Sequence, residues 1–160
     1  MVPAKGVLLT KDNLRRKSWK GSQKSSYYLC NETIKHLFFD CQHAKVIWRT
    51  VQVAIGLTPP SSVTHMLRNW LQNFNAQEAF TILTGTTALC WAIWRCRNDI
   101  IFNNAKHSSF MQVIFRGTYW LRFWSMLQHK ETSKYLFMKV STSLEMIALE
   151  MFISHGWKHA

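Results

Sequence analysis

The sequence predicts a mainly α protein, with a small N-terminal unit packed on or tethered to a C-terminal helical bundle. Three observations predict it. Only 6 Gly and 3 Pro occur in 160 residues, too few for a turn-rich all-β chain. Hydrophobic residues make up 48% of the chain, and a chain of this length can bury a substantial core. Beyond residue 43, apolar side chains recur every three or four positions, while the alternating pattern of strands is almost absent.

The elements follow in order. Residues 10–17 read as a short helix, with Thr10 at the N-cap, Asp12 in the first turn and Leu14 as its one apolar contact. Residues 21–26 have loop composition, and Tyr27, Tyr28 and Leu29 read as a short strand. Residues 43–55 read as an amphipathic helix with Ala44, Ile47, Trp48, Val51 and Ile55 on one face, and Gly56 is placed to end it. Thr58-Pro59-Pro60-Ser61-Ser62 is the clearest boundary, because two prolines forbid helix and the serines can cap the next one. It divides the chain into residues 1–57 and 58–160.

Four helical stretches are expected after this boundary. Residues 63–73 carry Val63, Met66, Leu67, Trp70 and Leu71 on one face. Residues 76–103 place Phe80, Leu83, Thr87, Trp91, Trp94, Asn98 and Ile101 at helical spacing. Residues 109–129 open with Ser109-x-x-Gln112, a capping-box pattern. Residues 132–155 carry Leu136, Val140, Leu144, Ile147 and Met151 and stop before Gly156. The Trp and Met stripes are read as core. Residues 1–57, with few apolar anchors, would be marginal without a metal or a neighbour.

The formal net charge is +12, and it is uneven. Seven basic residues, Lys5, Lys11, Arg15, Arg16, Lys17, Lys20 and Lys24, stand against Asp12 alone in residues 1–24. Such a segment attracts polyanions by releasing their counterions; the plainer alternative is a solvated terminus. A membrane surface fits less well, because no clean apolar face accompanies the charges. Val7-Leu8-Leu9 is too short for a signal-peptide core, and the uncharged run over residues 79–94 falls short of the ~18–20 residues that span a bilayer. These features predict an intracellular chain, nuclear or cytoplasmic, whose four Cys are reduced or metal-bound rather than disulfide-paired.

Cys30, His36 and Cys41 form the most informative cluster. Two thiols and an imidazole within a dozen residues suit tetrahedral zinc. A closed site needs a fourth ligand, and His43 lies two residues beyond Cys41. The alternative is that Cys30 and Cys41 are free thiols. Cys90 and Cys96 lie six apart in the aromatic helix and read as core or surface thiols.

At these residues the chain resembles a known family. Leu8-Leu9-Thr10-Lys11-Asp12-Asn13-Leu14, Trp19, the run from Cys30-Asn31-Glu32-Thr33 through His36-Leu37-Phe38-Phe39-Asp40-Cys41, then Ala44 and Trp48, are similar to the zinc-binding domain that follows the polymerase in plant LINE-type retroelement reverse transcriptases. Trp91-Ala92-Ile93-Trp94-Arg95-Cys96-Arg97-Asn98 and Phe115-Arg116-Gly117-Thr118-Tyr119-Trp120 resemble stretches found downstream in such elements. The resemblance implies zinc held by Cys30, His36 and Cys41. Where the family pattern begins with Cys-x2-Cys, this chain has Tyr27 at the first position, so the implied ligand set is one short unless His43 completes it.

No catalytic centre is expected. Asp12, Asp40 and Asp99 are isolated, none in the paired pattern a polymerase needs for its metals, and no phosphate-cradling Gly-rich loop occurs. The leading expectation is a non-catalytic module that binds RNA or DNA through Lys11, Arg15, Arg16, Lys17, Lys20 and Lys24, with Trp19, Tyr27 and Tyr28 available to stack on bases. The alternative is a helical interaction or structural remnant that self-associates through surplus apolar surface. Arg95 is expected to stack on Trp91, and Arg95 and Arg97 either touch phosphate or lock their helix to its neighbours.

Overall fold

The computed structural model describes residues 8–25, 30–103, 105 and 109–155. Among these residues the regular elements are helices, and the strand expected at Tyr27–Leu29 lies outside them. The α-helices are α1 (Lys11–Arg16), α2 (Gln42–Ile55), α3 (Val63–Arg68), α4 (Ala76–Phe102), α5 (Phe110–Ser125) and α6 (Glu131–His155), with a π-helical turn at His36–Asp40 before α2.

The ends are where the capping residues put them. The Ser62 hydroxyl accepts from the His65 amide at 3.1 Å and opens α3. Asn75 and Glu78 form a reciprocal capping box at α4, as do Ser109 and Gln112 at α5, satisfying amides that the first helical turn leaves unpaired. Gly56 closes α2 with φ at +71°, a conformation other residues rarely adopt.

The larger of two apolar clusters runs through much of the described chain, and Ala88, Leu121 and Phe137 form the smaller. Leu37, Phe38, Phe39, Ile47, Trp48 and Val51 are continuous in the larger with Leu89, Ile93, Ile114 and Leu144. Helix α5 packs against both α4 and α6, and α2 lies on α6. Gly117 permits the closest approach: a Cβ there would lie 2.6 Å from Leu89 Cδ2 and 3.4 Å from Leu89 Cα. Trp48 is the hinge of the upper core. Its indole donates to the Phe38 carbonyl at 2.7 Å, its ring stacks on Phe39, and Trp70 meets it edge-on.

Three expectations about faces are corrected. In α4 the buried face is Thr81, Thr86, Ala88, Leu89, Ala92, Ile93, Cys96 and Arg97, whereas Phe80, Thr87 and Trp91 face solvent. The helix is apolar nearly all round, so its largest side chains do not select the buried side. The side that meets Gly117 of α5 is the one buried, with Leu89 at the closest approach. The helix expected over 63–73 ends at Arg68; Trp70 and Leu71 reach the core from the following turn, and Leu67 is exposed. Nor are the Trp and Met stripes uniformly core, since Trp91, Met126, Met138 and Met146 are all exposed.

Candidate metal and nucleic-acid site

The chain around Cys30 doubles back on itself. Lys24 and Asn31 form an antiparallel bridge, the Ser25 amide donates to Cys30 O at 2.7 Å, and the Glu32 amide donates to Gln23 O at 3.1 Å. This pairing holds Cys30 at an exposed position. The Thr33 hydroxyl then accepts from the His36 amide at 3.0 Å and starts a helical turn. That turn widens, so that the Cys41 amide bonds the His36 carbonyl, five residues back, at 2.9 Å. His36 and Cys41 therefore sit at the two ends of one closed turn.

Cys30 and His36 come together: Cys30 Sγ lies 3.3 Å from His36 Nε2 and 3.4 Å from Nδ1. Cys41 does not join them as a free donor. It is buried and N-caps α2, where its sulfur accepts from the Ala44 amide at 3.3 Å and donates toward Leu37 O at 3.6 Å. Burial pushes its thiol up, against bonds from the Ala44 and His43 amides that favour the thiolate; charge at Cys30 and Asp40 adds to the rise. Asp40 itself pairs with Lys35 at 3.3 Å. His43 carries its Nε2 buried within α2. Among the described residues, no three of His, Cys, Asp and Glu are grouped to hold a metal ion. The position of Tyr27 lies outside those residues. Among the described residues the donor set thus offers a matched pair, Cys30 with His36, and does not make up a closed tetrahedral zinc site.

What holds this unit in place is a contact between two residues that sequence reasoning named separately and did not join. Glu32 is completely buried, and so is Arg97 from the middle of the C-terminal half of α4. The Arg97 guanidinium donates through Nε at 3.0 and 3.2 Å and through Nη2 to the Glu32 carboxylate. The same carboxylate accepts from the Lys11 amide at 3.0 Å, satisfying a free N–H at the start of α1. Arg97 also lies over the Trp94 ring, 5.1 Å from its centroid, and bonds Asn98 Oδ1 at 2.8 Å. Glu32 therefore joins α1, the Cys30 turn and α4. The expected stacking of Arg95 on Trp91 is replaced by Arg97 on Trp94. Arg97 follows Leu89 and Ile93 at four-residue spacing on the buried face, where a charge requires a buried partner.

The basic residues divide. Arg15, Arg16, Lys17, Lys20 and Lys24 are exposed on α1 and the loop after it. Lys11 is not. Its ammonium is drawn inward to the Lys24 carbonyl at 2.6 Å, and burial pushes its pKa down, opposed by Glu32 and reinforced by Arg97. Lys11 is thus a structural cation rather than a surface contact. Trp19 folds over Gly21, where a Cβ would lie 2.0 Å from the indole ring. Tyr27 and Tyr28 lie outside the described residues.

These features lie where the comparison with protein families places its match. Residues 2–48 match the family of zinc-binding domains in reverse transcriptase. The match begins before α1 and ends within α2, so α3 to α6 lie beyond it. Neither a comparison with curated proteins nor one with solved structures finds a match. Among the described residues, no helix is long and apolar enough to cross a membrane.

Proposed function

We propose that this chain is a non-catalytic, retroelement-derived reverse transcriptase zinc-binding-type module, of plant LINE ancestry, that binds single-stranded RNA or DNA. Phosphates contact Arg15, Arg16, Lys17, Lys20 and Lys24. The observation that carries the reading is the exposure of these five cations on α1 and its following loop, beside the turn that holds Cys30 and His36. Glu32 and Arg97 fix α1 from within, so the cations project from an anchored base.

Salt dependence tests it. Five phosphate contacts on a single strand give a log–log slope of about −3.5, a loss on the order of 100-fold in affinity between ~50 and ~200 mM salt. Converting Arg15 and Arg16 to Ala together should flatten the slope by about 1.4. Absence of RNA and DNA binding at ~50 mM salt would overturn the reading.

A specific observation favours a second reading, self-association of a helical remnant. Tyr135, Met138, Met146, Leu149 and Ile153 line one exposed side of α6 at spacings close to a heptad repeat, and Phe115, Tyr119 and Phe123 form an exposed stripe on α5. Sedimentation across a 100-fold range around ~10 μM protein checks it. A mass rising with concentration supports this reading, and Met146→Lys should then return the chain to a monomer; a constant monomer mass removes it.

A further inference from the structure

The helical half contains an apolar cleft of about 240 Å³ between α2, α4, α5 and α6, partly open to solvent. Its walls include Val51, Leu89, Leu121, Phe137, Val140 and Leu144. The few polar groups on it are already engaged. Thr81 donates to Gln77 O at 2.9 Å and Thr86 to Ile82 O at 2.8 Å, both within α4, and Glu78 at the edge is committed to the α4 capping box. Water in this space finds few free polar partners, which favours its displacement by an apolar guest. No cationic side chain lines the cleft, so nothing there would hold a carboxylate or phosphate head group. Ile55, Phe74 and Leu136 are partly exposed around it and give an apolar way in.

We infer that this cleft is a binding site for a small, neutral, apolar molecule of roughly ten heavy atoms, such as an alkyl-substituted aromatic ring. The size of the space sets the upper limit, and the absence of unmet polar groups in the lining sets the chemical class. Gly85 provides much of the room. A Cβ added there would meet only Leu121, at an ordinary 3.7 Å, so the position accepts Ala and would direct a larger side chain into the space.

The experiment is a titration of the full chain with butylbenzene, followed by methyl NMR. The expected result is saturable shifts of the Leu89, Leu121, Val140 and Leu144 methyls, with a midpoint on the order of 0.1–1 mM. Gly85→Ala should retain the midpoint within about twofold, while Gly85→Leu should raise it at least tenfold by filling the space. Val140→Phe fills the same cleft from α6 and serves if Gly85→Leu does not fold. Absence of saturation in the wild-type chain, or an unchanged midpoint in a folded filling variant, would overturn the inference. Neither outcome bears on the cations of α1, so nucleic-acid binding is judged separately.

Discussion

The two halves of this molecule are ordered by different means. Before α2, polar geometry adds to the burial of Leu37, Phe38 and Phe39: one carboxylate, Glu32, receives a guanidinium from α4 and an amide from α1, and backbone pairing around Cys30 completes the unit. In α4 to α6 the order comes from apolar burial, with Leu89, Ile93, Ile114 and Leu144 closed inside. The apolar half has a surplus. Phe80, Trp91, Tyr119, Met146 and Ile153 remain on its surface, and a 240 Å³ cleft remains within it. Before α2 the one buried carboxylate serves both α1 and α4, so the loss of Glu32 undoes both ties at once.

That asymmetry is broken most severely at Arg97. Arg97→Met would strand Glu32, a carboxylate with no solvent exposure, and remove the cation from Trp94. Breaking a buried pair by deleting one partner costs about 3–5 kcal/mol. Urea unfolding followed by fluorescence should show that loss. The pair Glu32→Met with Arg97→Met should recover part of it, because no charge is then buried alone, although the Lys11 amide still loses its acceptor. A single-variant loss below about 1 kcal/mol would mean that water reaches Glu32 and that the two halves are joined by apolar contact alone.

How much of this was legible in the sequence follows the same division. Helix existence and most boundaries were readable, because caps are local: Ser62, Ser109 and Gly56 act within four residues of themselves. The buried face of α4 was not, because Phe80 and Trp91 recur at the same spacing as Leu89 and Ala92, and periodicity cannot choose between two apolar sides. The pairing of Cys30 with His36 was readable from their proximity in the chain. The withdrawal of Cys41 into the α2 cap was not, since it depends on a π turn that a His-x4-Cys spacing does not specify. The resemblance pointed to both Glu32 and Arg97, 65 residues apart, but not to their contact. Long-range ion pairing is a property of the fold that no local pattern reports.

A smaller effect separates the halves by pH. Glu145 of α6 is raised by its partial burial but held below the ordinary carboxylate value by hydrogen bonds from Arg122 and Thr118 and by the Arg122 charge. A carboxyl depressed in the folded state contributes stability above its unfolded pKa, and that contribution fades as pH falls from about 4 through the folded value. The pair is partly exposed, so the contribution is about 1 kcal/mol or less. Glu145→Gln should lower stability at pH 7 by that amount and converge with the wild type near pH 2. A constant difference from pH 7 to pH 2 would show that the glutamine disturbs packing rather than removing a charge.

The smallest effect is expected from metal removal, where the described residues differ most from the zinc-binding domains that residues 2–48 match. A complete structural zinc site contributes on the order of 10 kcal/mol to a small folding unit. Here Glu32 and Arg97 supply a metal-independent tie, the Cys41 sulfur is engaged at the α2 cap, and no described group of three ligands is assembled. Chelation of tag-free protein should therefore leave the thermal midpoint and the helical signal unchanged. Cys30 should react first with a thiol reagent, ahead of the buried Cys41 and Cys96 and of Cys90, whose surroundings push its thiol up to about 12. One equivalent of tightly held zinc, with protection of Cys30 and Cys41 together and unfolding on its removal, would reverse this. It would mean that Cys41 turns out of its cap to complete a site with Cys30 and His36, and that the polar half is held by a cation as well as by Arg97.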